Sequence, residues 1–323
     1  MTDPEKQSID QEQIFTLLQS SRQHVRCHPR KEEITHEIED YFGKNWPFQA
    51  TKELKKIRQT DLTGVACYTF PTVHDDRMFI VVLVLIMFVL VDDIVEDMSF
   101  KESELLAERF ILISQHEEHA DPESPIEYLI CDVWRHIGEM DDEVANQIKA
   151  EFFSIWRNQA VEDRGKRNDF GAYLNYRVSD AGGTLSKLLL RFGLRISRSN
   201  CYDEAVLKLE LNFANHITVT NDLLSFEREL KKSQSSVADG ASICSSVEVI
   251  SRECQVNTRT AKLVLLTICR EWERQHEGLS AEITSRIPEL SDYCIAVGYL
   301  MGGNEAWSKG ASRYHNEPDR NEV

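Results

Sequence analysis

The chain has 323 residues, 41% of them hydrophobic, and a net charge of −17 from 54 acids against 37 bases. That length holds one large domain or two ordinary ones, and the apolar share builds a sizeable core, which excludes a disordered chain. The acidic balance argues against a general binder of nucleic acid or anionic membranes, but a few local arginines still bind small anions.

Taken in chain order, the apolar residues recur at i, i+3, i+4 and predict helices nearly throughout. The first two stretches are DQEQIFTLLQSSRQ and KEEITHEIEDYFGKNW. Residues 78–91 follow, a run of 14 residues that is apolar all round, too short for a typical span and suited to the centre of a bundle. Periodicity resumes in SELLAERFILIS, EYLICDVWRHIGEM and EVANQIKAEFFSIWRNQAVED. It continues in FGAYLNYRVSDAGGTLSKLLLRFGL and DEAVLKLELNFANHITVTNDLLSFERELKKSQ. A polar stretch at 233–246 is the best candidate for a long loop, and RTAKLVLLTICREWERQHEGLSAEI and LSDYCIAVGYLMGGNEAWSKGASRYH complete the pattern. With only 14 Gly and 8 Pro, no repeat and no linker, the expectation is a single all-α domain over 1–323, of ten or more helices, with flexible ends at 1–10 and 316–323. Eight scattered cysteines with no C-x-x-C read as reduced thiols, and MTDPEKQSIDQEQ is no signal peptide, so the expected location is cytoplasmic.

Two constellations carry chemistry. Asp92, Asp93, Glu96 and Asp97 follow the apolar run directly. On a helix, Asp92 and Glu96 share a face, and like charges so placed are destabilising unless a cation bridges them. Mg²⁺ suits such oxygen donors, whereas the bland alternative is a solvated acidic helix end, which opposes the helix dipole. Further on, Asn221, Ser225 and Glu229 recur every fourth residue, placing an amide oxygen, a hydroxyl and a carboxylate on one stripe where a mostly apolar helix turns polar. Arg177, Arg228 and Arg313 offer forked donors to a polyphosphate. The HEEH at 116–119 reads as solvated histidines.

Together these residues resemble class I terpene synthases of the bacterial and fungal kind. The D-D-x-x-[DE] motif is matched by Asp92 to Glu96, and N-D-x-x-S-x-x-x-E by Asn221, Asp222, Ser225 and Glu229. The family's diphosphate-sensing arginine is matched by Arg177, 44 residues before Asn221, and its linker aspartate by Asp180. The next position, whose carbonyl helps to trigger ionisation, falls at Ala181 or one residue later at Gly182. A terminal N-x-x-W-x-x-x-x-x-R-Y is matched by Asn304, Trp307, Arg313 and Tyr314.

The resemblance implies three Mg²⁺ ions held by Asp92, Glu96, Asn221, Ser225 and Glu229. It implies a diphosphate gripped by Arg177, Arg228, Arg313 and Tyr314, and an ionising set of Arg177, Asp180 and Ala181. The substrate it implies is a linear isoprenyl diphosphate, farnesyl diphosphate being favoured, cyclised in an apolar pocket lined by Phe88, Phe153 and Trp307. Tyr68, Phe152 and Trp156 are weaker pocket candidates. A diterpene cyclase using geranylgeranyl diphosphate, a prenyl transferase or hydrolase, and a helical scaffold without activity are the alternatives. No nucleic acid partner and no membrane span are expected, and the chain is a monomer or homodimer.

Overall fold

The computed structural model describes residues 16, 21, 23–45, 61–95, 98–159, 169–180, 182–196, 202–235 and 243–310. Among these residues there are twelve α-helices, one 3-10 turn and no strand. In chain order the helices are α1 (Lys31–Asn45), α2 (Leu62–Thr69), α3 (Asp75–Val95), α4 (Phe100–Ser114), α5 (Pro125–Met140) and α6 (Asp142–Gln159). They continue as α7 (Phe170–Asp180), α8 (Gly183–Gly193), α9 (Glu204–Ser235), α10 (Ser246–Glu253), α11 (Thr258–Arg286) and α12 (Ser291–Gly310).

The apolar run forms the middle of α3, which α1, α2, α5 and α8 surround. Met78, residues 80–84, Ile86 and Met87 are fully buried in one large core. At 21 residues α3 is long and apolar enough to cross a bilayer by length and composition, so the length of the run does not decide against a span. Packing does, because most of that apolar surface is covered by other helices. Asp75 and Asp76 in its first turn suit the helix dipole. Buried Arg77 pins that end to α8, donating to the Phe192 carbonyl at 2.5 Å and lying 4.4 Å from the Phe192 ring centroid.

Three departures from the periodic reading have local causes. The stretch 170–194 is two helices, broken where Gly182 adopts φ +74°, a left-handed conformation that glycine takes without strain. The expected loop 233–246 is shorter at both ends: α9 runs to Ser235 and α10 begins at Ser246, residues 236–242 lying outside the described set. Helices α2 and α10, eight residues each, have too few turns to show a period.

The second half of the bundle packs around α9, which meets α7, α8, α10, α11 and α12. At its centre is a buried polar cluster. His216 Nε2 lies 3.3 Å from Glu273 Oε1, Arg270 pairs with both Glu273 and Glu305, and the Ser21 hydroxyl donates to Glu273 at 2.8 Å. These carboxylates are tolerated in the interior because the guanidinium sits between them. Helix α12 crosses α2 so closely that a Cβ on Gly303 would stand 1.9 Å from the Tyr68 carbonyl oxygen, which only glycine permits.

Candidate active site

Along α3, Leu85, Phe88, Val89 and Asp92 form a partly exposed stripe on an otherwise buried helix. Such a stripe marks a helix face turned to an interior space, and it ends in carboxylates. Asp92 and Asp93 occupy the last turn of α3. Glu96 and Asp97 lie outside the described residues. The helix restarts at once, because Ser99 caps α4 reciprocally with Glu102, the Ser99 N–H donating at 2.8 Å. Asp92 and Asp93 thus close α3 a few residues before α4 begins.

Phe88, one turn before Asp92, packs edge-on against Phe152 with centroids 6.3 Å apart. Its ring also lies against the break between α7 and α8, since a Cβ at Gly182 would be 3.3 Å from Phe88 Cζ. The Gly182 carbonyl accepts from both the N–H and the hydroxyl of Ser186, each at 2.9 Å. That carbonyl is committed to capping α8, which bears on the choice between Ala181 and Gly182. Asp180 closes α7, and Ala181 lies outside the described residues. The aspartate-bearing helix and the segment that carries Asp180 therefore meet at Phe88.

On α9, Asn221 and Glu229 are half-buried and Ser225 is buried. The Ser225 hydroxyl oxygen has no hydrogen-bond partner among the described residues, and neither has the half-buried Arg228 at Nε. Asp222, next to Asn221 but turned about 100° away, is fully buried. It accepts from the Tyr173 hydroxyl at 2.5 Å and from the Ser246 N–H at 2.9 Å. Arg177 approaches its other oxygen, with Nε and Nη2 each at 3.5 Å. Burial pushes the Asp222 carboxyl above the usual range; Arg177, Tyr173 and the Ser246 N–H pull it back, and Glu229 adds to the rise. On α10, burial likewise raises Glu248, with Arg252 opposing and Glu229 reinforcing.

The sequence reading missed Tyr173 and Glu248. Periodicity assigns Tyr173 to a core face, and no motif reaches Glu248.

Phe153 is partly buried against the large core, 6.0 Å from Trp156 between ring centroids. Phe152 and Trp156 are core residues. Trp307 belongs to a different cluster, with Val219, Leu223, Phe226 and Leu265, to which Tyr68 is peripheral. Its indole N–H donates to the Asp61 carbonyl at 3.1 Å, fixing α12 to the start of α2. So Phe88 and Phe153 share one cluster and Trp307 stands in another. Arg313 and Tyr314 lie outside the described residues. His116 and His119 are exposed, as solvated histidines should be.

The donors Asp92, Asn221, Ser225 and Glu229 are all oxygen, the set that a hard divalent cation takes. The orphaned, buried Ser225 hydroxyl fits such an ion, because a buried hydroxyl without a partner is otherwise destabilising. By contrast, the buried His216, Glu273 and Glu305 cluster is already filled by Arg270.

Comparison with known proteins agrees with this geometry. Residues 83–275 match the family model described as terpene synthase family 2, C-terminal metal binding, a span that contains both constellations. Aristolochene synthase of Aspergillus terreus is 35% identical over 291 residues, 89% of this chain and 91% of that protein. The Penicillium roqueforti enzyme of the same name is 34% identical over 90% of this chain and 86% of its own length. A crystal structure of aristolochene synthase from Penicillium roqueforti superposes with a TM-score of 0.75 at 31% identity, covering 90% of this chain and 98% of that one. Germacradien-4-ol synthase from Streptomyces citricolor shares the fold alone, with a TM-score of 0.69 at 17% identity. Two core helices that turn acidic and polar where a partly buried arginine waits, in a bundle of this topology and at this level of identity, lead to one conclusion: the chain belongs to the terpene synthase family and is a terpene cyclase.

Proposed function

We propose that this terpene synthase, an enzyme of isoprenyl diphosphates that works with a divalent metal, takes farnesyl diphosphate with three Mg²⁺ ions and cyclises it to a sesquiterpene. The observation that carries the metal site is the buried Ser225 hydroxyl, which has no hydrogen-bond partner among the described residues, in line with Asn221 and Glu229. The choice of a C15 substrate is supported by the relatives named aristolochene synthases, matched over nine-tenths of the chain.

The metal would be held by Asp92 and Glu96 on one side and by Asn221, Ser225 and Glu229 on the other. When bound, it supplies Lewis-acid neutralisation of the leaving diphosphate. Arg177, Arg228, Arg313 and Tyr314 bind the diphosphate oxygens and orient the allylic C–O bond towards the apolar interior. When that bond breaks, the diphosphate keeps the electron pair and an allylic cation remains. In this reading Asp180 and Ala181 complete the ionising set with Arg177, and the Ala181 carbonyl would help to trigger ionisation. Phe88, Phe153 and Trp307 enclose the chain, exclude water and present aromatic faces to the cation. We take residues 1–323 to act as a single domain in the cytoplasm, as a monomer or homodimer. The seven described cysteines, all free thiols, support a reducing compartment.

Incubation with C10, C15 and C20 diphosphates and Mg²⁺, with volatile products read by mass spectrometry, tests the reading. A cyclic C15 hydrocarbon is expected. Cyclic C20 products alone would reassign the substrate, and diphosphate release without metal would remove the metal site.

A further inference from the structure

We infer that Asp222 is a positioning residue that aims Arg177 at the substrate diphosphate. This inference rests on Arg177 being a diphosphate ligand.

The argument starts from adjacency. Asn221 and Asp222 are consecutive on α9, so when Asn221 joins the stripe with Ser225 and Glu229, Asp222 must face away from it. It faces α7, where Tyr173 and Arg177 lie four residues apart and so share one side of that helix. A carboxylate with no exposed surface is expensive to maintain, and hydrophobic packing would dock α7 on α9 without it. Charge is needed there because Arg177 is itself largely buried, at 9% exposure, and a guanidinium cannot shed its proton.

The two oxygens of Asp222 divide the work. Oδ2 takes the short bonds, 2.5 Å from the Tyr173 hydroxyl and 2.9 Å from the Ser246 N–H. These hold the carboxylate rigid and tie it to the first turn of α10. The Tyr173 hydroxyl is also 3.2 Å from the Cys244 carbonyl, which secures the same segment. Oδ1 is left to Arg177, and both guanidinium contacts are long, at 3.5 Å. Two long contacts to one oxygen direct the guanidinium by charge more than by strong hydrogen bonds. Asp222 thus gives the arginine a fixed direction relative to the very helix that carries Asn221, Ser225 and Glu229. Metal ligands and diphosphate ligand are set in one frame by two neighbouring residues of one motif.

The test is calorimetric binding of inorganic diphosphate with Mg²⁺, independent of turnover, to the wild type, Asp222→Asn, Tyr173→Phe, Arg177→Ala and the doubles Asp222→Asn/Arg177→Ala and Tyr173→Phe/Arg177→Ala. Arg177→Ala is expected to weaken binding by about tenfold or more, and Asp222→Asn by about fivefold to tenfold. Each double should bind no more weakly than Arg177→Ala alone, because the partner acts only through the arginine. If the Asp222→Asn loss persists in the Arg177→Ala background, or if Asp222→Asn tightens binding, the positioning role is overturned while the reading of Arg177 stands. If Arg177→Ala leaves affinity unchanged, the reading of Arg177 falls and the role of Asp222 falls with it. Should Asp222→Asn fail to fold, the Tyr173→Phe pair decides by the same criterion, since it removes one hydroxyl and keeps the ring.

Discussion

Ser225 presents a hydroxyl to the interior with nothing among the described residues to bond it. Replacing it should separate stability from catalysis. Ser225→Ala removes an orphaned polar atom, so the metal-free protein should be as stable as wild type or more stable by up to about 1 kcal/mol in urea unfolding. Turnover should fall about tenfold and need more Mg²⁺ to saturate, and Glu229→Gln should fall further, since it deletes a charged ligand at nearly constant size. Equal Mg²⁺ dependence in all three proteins would contradict the assignment. A second residue governs behaviour in acid. His276 is pushed down to about 4, chiefly by burial, with His216 acting in the same direction and Glu273 against it. The unfolded chain holds that proton up to about pH 6.5, so between the two values unfolding takes up a proton. The stability linked to neutral His276 is therefore complete above pH 6.5 and is lost as pH falls through 4. The loss between pH 7 and pH 5 amounts to about 2 kcal/mol. His276→Gln should flatten that segment of the stability curve; an unchanged slope would assign the acid sensitivity elsewhere.

Among the elements, α12 has the tightest tolerance, set by Gly303 against the Tyr68 carbonyl. Gly303→Ala must push α12 off α2 or bend it, at a cost of about 2 kcal/mol or more, visible as a lower urea midpoint. The shift should also disturb the Trp307 bond to Asp61, one turn along the same face. What could be read from the sequence at this scale follows from how far each signal reaches. Long helices announce themselves by period, as α9 and α11 do, or by an unbroken apolar run, as α3 does. The motif residues Asp92, Asn221, Ser225 and Glu229 form local patterns that can be read without knowing the fold. The contact between Tyr173 and Asp222 spans 49 residues of sequence, and no periodicity reports which turn of α7 meets which turn of α9. The helix break was hidden because Leu185, Leu188 and Leu189 resume the apolar spacing straight after the glycines. The motif marks Trp307 as a pocket candidate, but which residues it packs against depends on the crossing of α12 over α2, which no local pattern reports.

For the molecule as a whole, ligand and fold are linked. Inorganic diphosphate with Mg²⁺ should raise the midpoint of thermal unfolding, and diphosphate with a chelator should not, because a ligand of the folded state stabilises it by mass action. Equal stabilisation without metal would indicate a plain arginine anion site. The all-α class was legible from helical periodicity along most of the chain, and the central placement of α3 from its apolar run, which suits a helix surrounded by others. That same placement sets a condition on biosynthesis. During synthesis α3 leaves the ribosome before α5 and α8, two of the helices that cover it, have been made. For that interval the nascent chain displays a greasy 21-residue helix of membrane-spanning length. A chain truncated near residue 100 should consequently aggregate or partition into lipid vesicles, whereas the complete chain should not. On this account, nascent-chain chaperones and bilayers would compete for the chain before its own later helices can claim α3.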